Sequence, residues 1–247
     1  MANWNDPQPS QAGFGASPNV ARTWGGSTVR DAGLRRHMLS IYNYMASGVL
    51  LSGVVALGFA TSGMAEAVMT TPLRWVIALA PLAFVMVMSF GANRLSTAAM
   101  QLLFWAFSVM MGLSLSSIFL VYTGASIAVT FFATAGAFAG LSLFGYTTQK
   151  NLSAMGTFLI MGLFGILIAS LANMFLRSPG LSWGISFLGV LIFAGLTAYD
   201  TQKLKDQYSY VAGTDMAGKA VILGALNLYL DFINMFLMLL RFMGDRR

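Results

Sequence analysis

Two stretches decide how this chain is read: LNLYLDFINMF (Leu226–Phe236) and AGLTAYDTQKLK (Ala194–Lys205). Each carries one carboxylate, Asp231 in the first and Asp200 in the second, within or at the end of a long apolar run. Working outward, the rest of the 247 residues makes that setting a bilayer, because 57% are hydrophobic, only 9% are charged, and the mean hydropathy is +0.72. A soluble domain carries about 25% charged residues. The chain therefore reads as an all-α polytopic membrane protein, in which an acidic side chain inside a span is costly and usually functional.

About 20 apolar residues cross a bilayer. The chain offers seven such runs, at roughly 38–60, 75–92, 99–121, 126–146, 154–176, 182–200 and 220–242. They form one transmembrane domain over residues 34–247. Residues 1–33 are rich in Gly, Ser, Pro and Asn, lack apolar periodicity, and are expected to be a disordered tail. The stretch 201–219 is polar and reads as a loop.

The net charge of +6 does not point to nucleic acid. With the N-terminus on the cytoplasmic side, Arg22, Arg30, Arg35, Arg36, Arg94, Lys150, Lys203, Lys205 and Lys219 all fall inside, against Arg74 and Arg177 outside. A full crossing by the last run places Arg241, Arg246 and Arg247 outside, against that rule; the alternative is a re-entrant path. Its length favours the crossing.

Asp231 is expected about 16 Å into the last span. Asn227 and Asn234, at i−4 and i+3, share its face and form a polar stripe that must meet protein or water. The stripe is either a structural polar seam or a functional one. Asp200 reads more simply as a solvated cap beside Lys203. Arg94 is either an interfacial anchor or an inward charge that neutralises an aspartate. Gly136 and Gly140 form a GxxxG expected to be a helix-contact surface. The segments FAGLSLFGYTTQK (Phe138–Lys150) and FAGLTAYDTQK (Phe193–Lys203) echo each other, as a parallel repeat or by chance.

Catalysis finds little support. The one histidine, His37, leaves the serines of the spans without a base and cannot build a zinc site. With no cysteine, thiol chemistry is absent. Paired aspartates can act as a protease dyad, but Leu228–Tyr229–Leu230 precedes Asp231 where intramembrane aspartyl proteases carry GxG. No enzyme and no resident cofactor are expected.

The run LNLYLDFINMFLMLLRFMG (Leu226–Gly244), with AYDTQ before it, resembles the transmembrane Bax inhibitor motif (Bax inhibitor-1) family, and the likeness extends over about 34–247. The resemblance implies seven helices with the last one central. It also implies a pH-sensing aspartate pair, here Asp200 and Asp231, that gates a calcium leak, and a basic residue on the second span corresponding to Arg94. Calcium then enters as permeant ion or as a ligand of the two carboxylates. The expected setting is a bacterial inner membrane, with lipid and cations as partners. A second implied role is that of a modulator of an FtsH-like membrane protease, engaged through the tail, or a stress-response regulator without transport.

Physically, two carboxylates within hydrogen-bond distance cannot both ionise cheaply, so they titrate as a unit. A shared proton joins their helices; its loss leaves charges that repel or hold a divalent cation. Span boundaries alone place the two aspartates about 10–15 Å apart in depth. Pairing therefore requires the sixth helix to end recessed or the seventh to begin higher.

Overall fold

The computed structural model describes the backbone of residues 18–247 and the side-chain surroundings of residues 31–247. Among the described residues, the elements are α1 (Pro18–Thr61), α2 (Met64–Met69), α3 (Leu73–Gly91), α4 (Thr97–Leu115), α5 (Ser117–Val121), α6 (Gly124–Thr147), α7 (Ser153–Leu176), α8 (Pro179–Val211) and α9 (Met216–Met243). Seven stretches are long and apolar enough to cross a membrane, with α4 and α5 acting as one, and each overlaps a run read from the sequence. Helices dominate because each satisfies its own backbone hydrogen bonds, which hydrocarbon cannot do. Three of the starts carry oxygen caps, with Ser96, Thr123 and Ser178 accepting from the amides of Ala99, Ser126 and Leu181.

Two boundaries differ from expectation. α1 begins at Pro18, so residues 18–33 are helical where no order was expected. Extending an existing helix adds one hydrogen bond per residue and avoids the cost of nucleation, and proline suits a first turn. Residues 1–17 lie outside the described residues, and so does the expectation of disorder for them. The chain divides after Arg36, and the helical bundle is the unit His37–Arg247.

The second difference governs the site. The stretch 201–219 is not a loop: α8 runs on to Val211 and α9 starts at Met216, leaving a turn of Ala212–Asp215. Gly213, at φ 75°, supplies the left-handed residue that so short a connection needs. Polarity in TQKLKDQYSYV marks contact with water, and its Gln, Lys and Leu favour helix as well as any apolar residue does.

α9 is the centre of the bundle. In its most apolar window 61% of residues are buried, against 11–39% in the other spans. It packs on α8, α6, α4 and α3, and Gly224 also admits Ile41 of α1. α7, which packs chiefly on α8, is the most lipid-exposed. The helix α9 continues unbroken from its contact with the α3–α4 turn, where Lys219 Nζ donates to Ala92 O (3.1 Å), to Met243. The last residues then pair with the opposite face, Tyr122 bridging Arg246 and Thr123 N donating to Asp245 O. A crossing path, not a re-entrant one, is what α9 follows.

The GxxxG reading is corrected. Gly136 and Gly140 face outward with nothing near the position a Cβ would take, so among the described residues no helix packs there. The close approaches occur at Gly145, against the backbone of Ala198, and at Gly156, against the ring of Tyr199.

Candidate functional site

The longer helices bring the aspartates to nearly one depth. Counted from the α8–α9 turn, Asp200 lies 11 residues up α8 and Asp231 15 residues up α9, about 17 Å and 23 Å. The remaining difference is one helical turn, which two side chains close. The carboxyl groups of Asp200 and Asp231 lie at hydrogen-bonding separation. The pairing comes about in neither of the two ways expected from the sequence, a recessed end to the sixth helix or a higher start to the seventh, but through a sixth helix that passes its aspartate and continues to Val211.

Almost every other side chain of YDTQKLK has a scaffolding task. Tyr199 fills the slot left by Gly156 of α7. Thr201 Oγ1 donates to Ser142 Oγ of α6 (3.4 Å), beside the contact of Gly145 with Ala198. The Gln202 side chain accepts from Leu152 N and donates to Lys150 O, both at 2.8 Å, tying α8 to the α6–α7 turn. Lys205 Nζ donates to Tyr146 O (2.8 Å), capping the C-terminal carbonyls of α6. Leu204 is buried beside Gly224 of α9. Lys203 stands over the Tyr199 ring and is the cation facing Asp200. Asp200 remains as the side chain turned to α9, on a segment gripped from both flanks. It is not the fully solvated cap that its composition suggested.

Asp231 is 5% exposed, and its Oδ2 has no hydrogen-bond partner. A buried polar atom left unmatched is rare in folded proteins and calls for an explanation. The other half of α9 at this level is locked. Tyr229 OH lies 2.6 Å from Ser52 Oγ, which donates within reach of Ser108 O (2.7 Å) and Gly48 O (2.9 Å). Phe107 packs edge-on against the Tyr229 ring at 5.0 Å between centroids. Phe232, on another face, meets Phe131 and Phe138 of α6. Tyr229 and Ser52 were missed in the sequence; a tyrosine buried in a span requires a partner for its hydroxyl, and Ser52 is a lone hydroxyl in LLSGVV.

The polar stripe is only partly as expected. Asn234 is half-buried and donates to Leu230 O of its own helix, while Asn227 is exposed. Neither makes a side-chain hydrogen bond to the aspartates. Arg94 is also corrected: it lies exposed in the α3–α4 turn, not inward on the second span, and does not reach the pair. The turn places it where a basic anchor meets headgroups. His37 is buried against Tyr208, ring centroids 5.2 Å apart.

Among the described residues no three His, Cys, Asp or Glu side chains converge on a metal position. Two carboxylates supply at most four oxygens, where Ca²⁺ takes about 6–8. The donor set suits a passing or weakly held cation and not a structural one.

Residues 34–247 match the family described as inhibitor of apoptosis-promoting Bax1. The chain belongs to the Bax inhibitor-1 family. It is 48% identical over 220 residues to the inner membrane protein YbhL of Escherichia coli K12, covering 87% of this chain and 94% of that one. An uncharacterized protein of Caulobacter vibrioides is 46% identical over 231 residues, covering 88% and 91%. The more distant YrjE of Lactococcus lactis is 39% identical over 223 residues, covering 87% and 93%. The span matched by the family includes both aspartates and the helices that grip them.

Proposed function

We propose that this member of the family is a pH-sensitive leak pathway for calcium or a related cation, with Asp200 and Asp231 as its gate. The observation that carries this reading is the meeting of two carboxyl groups from different helices inside the bundle, one of them almost fully buried. A pair so placed holds one proton between its members at low pH and joins α8 to α9. Raising the pH removes that proton. Two negative charges then repel, or attract a hard cation to their oxygens. Lys203, on the same helix as Asp200, offsets part of the charge on the outer member of the pair.

The rest of the bundle supports a gate of this kind by holding still. α8 is tied to the α6–α7 turn and α9 to the α3–α4 turn, and the two helices pack closely on each other, so the scaffold holds the carboxyl pair in register. The distribution of basic residues supports a cytoplasmic N-terminus, and the name of the Escherichia coli relative supports an inner-membrane location. The test is cation flux into liposomes across pH 5 to 8, comparing wild type with Asp200→Asn and Asp231→Asn. Loss of pH dependence in both variants supports the gate. An absence of flux from folded wild-type protein contradicts it and favours a binding role.

A further inference from the structure

At the end of the bundle away from the α8–α9 turn, a cavity of about 680 Å³ opens between α7, α8 and the end of α9. Three arginines line it: Arg177 from the α7–α8 turn, Arg241 from the last turn of α9, and Arg246 from the chain end. No carboxylate lines it, and among the described residues none pairs with these guanidiniums. Ser170, Ser182 and Ser186 add hydroxyls along its wall, and Ser186 is buried. The long helix α8 points its N-terminus here, adding positive potential that the carbonyl ends of α7 and α9 offset in part.

Arg177 supplies a second, independent observation. It is the one non-glycine residue with positive φ among the described residues, at φ 50° in the left-handed position that ends α7. Glycine is the residue such a position favours. The turn itself is already secured by Asn173, whose Oδ1 accepts from Ser178 N (2.9 Å) and whose Nδ2 donates to Ser182 Oγ (2.6 Å). An arginine thus stands where backbone conformation favours glycine, and it is one of the residues that line the cavity. Strain of that sort marks a functional constraint.

We infer that this cavity binds a phosphate-bearing anion. Guanidinium groups match phosphate oxygens in paired, charge-assisted hydrogen bonds, and the cavity is lined by three arginines, of which Arg246 also stands over the Tyr122 ring at 5.9 Å. Ser182 Oγ, which accepts from Asn173 Nδ2, keeps its own proton to donate, whereas Ser186 Oγ already donates to Ser182 O. Met174 and Trp183, both lining residues that are largely exposed on the lipid-facing surface, make an apolar lip beside it. The chemistry fits a phospholipid headgroup with its chains along that lip, and equally a free phosphate.

The experiment uses full-length protein in a phosphate-free maltoside detergent, with phosphatidylglycerol and a diacylglycerol of the same chains compared by native mass spectrometry. Wild type is expected to retain phosphatidylglycerol at least about tenfold more strongly, the scale of a lost charge-assisted contact. Arg177→Gly and Arg241→Gln are each expected to lose that preference. Arg177→Gly relieves the backbone, so its melting temperature should equal or exceed that of wild type, separating lost binding from lost folding. Displacement of the lipid by added inorganic phosphate assigns the site to a free anion; no displacement assigns it to a headgroup. Equal retention of both lipids by wild type, or an unchanged preference in both variants, overturns the inference.

Discussion

The ring of Tyr199 occupies the space that any side chain at position 156 would need, so the residue preceding Asp200 is seated in α7. At the adjoining residue, Gly145 of α6 meets the backbone of Ala198. These contacts fix the part of α8 that carries the carboxylate. Gly145→Ala faces backbone, which cannot yield, and should cost about 1–3 kcal/mol. Gly156→Ala faces a ring that can turn aside, so a smaller loss of stability should come with a displaced Asp200. Gly136→Ala, in open space, should be neutral or stabilising by up to about 1 kcal/mol. Thermal unfolding in detergent ranks the three.

Tyr229 holds the opposite side of α9 through Ser52. Tyr229→Phe keeps the ring against Phe107 and removes only the hydroxyl, while Ser52 Oγ retains Ser108 O and Gly48 O. The expected loss is about 0.5–1.5 kcal/mol, read as a lower melting temperature. Because the hydroxyl lies away from the aspartates, the midpoint of any pH response should stay where it is in wild type.

Arg94→Ala should leave the pH profile of flux unchanged, because the guanidinium is exposed in the α3–α4 turn. Lys203→Ala, which removes the cation facing Asp200, should shift the profile toward higher pH, since the singly protonated pair is then favoured over the fully ionised one. Flux titrations of the two variants side by side make the comparison.

The spans were legible because a bilayer imposes an apolar length that few other settings require, and the runs around Asp231 and Phe138 show it plainly. The end of α8 was not, since Gln202, Lys203 and Lys205 mark contact with water without saying whether the helix stops. Placing that one boundary at residue 200 set Asp200 and Asp231 more than a helical turn apart. The glycines show the same limit: Gly136 and Gly140 have the spacing of a contact motif, yet Gly145 and Gly156 make the contacts, because their neighbours come from distant parts of the chain. Asp231 itself was legible as costly. Its partner became clear only through the family resemblance and the geometry.

The central claim concerns the proton shared by Asp200 and Asp231, and calcium flux into proteoliposomes between pH 5 and 8 tests it most directly. The contact that closes the gate is present at low pH and lost as pH rises through the titration of the pair, so wild-type flux should rise with pH. Asp200→Asn and Asp231→Asn each put an amide, which keeps a hydrogen bond at every pH, in place of a carboxyl. Both should show low flux with little pH dependence. A wild-type pH response that survives intact in both variants would contradict the account.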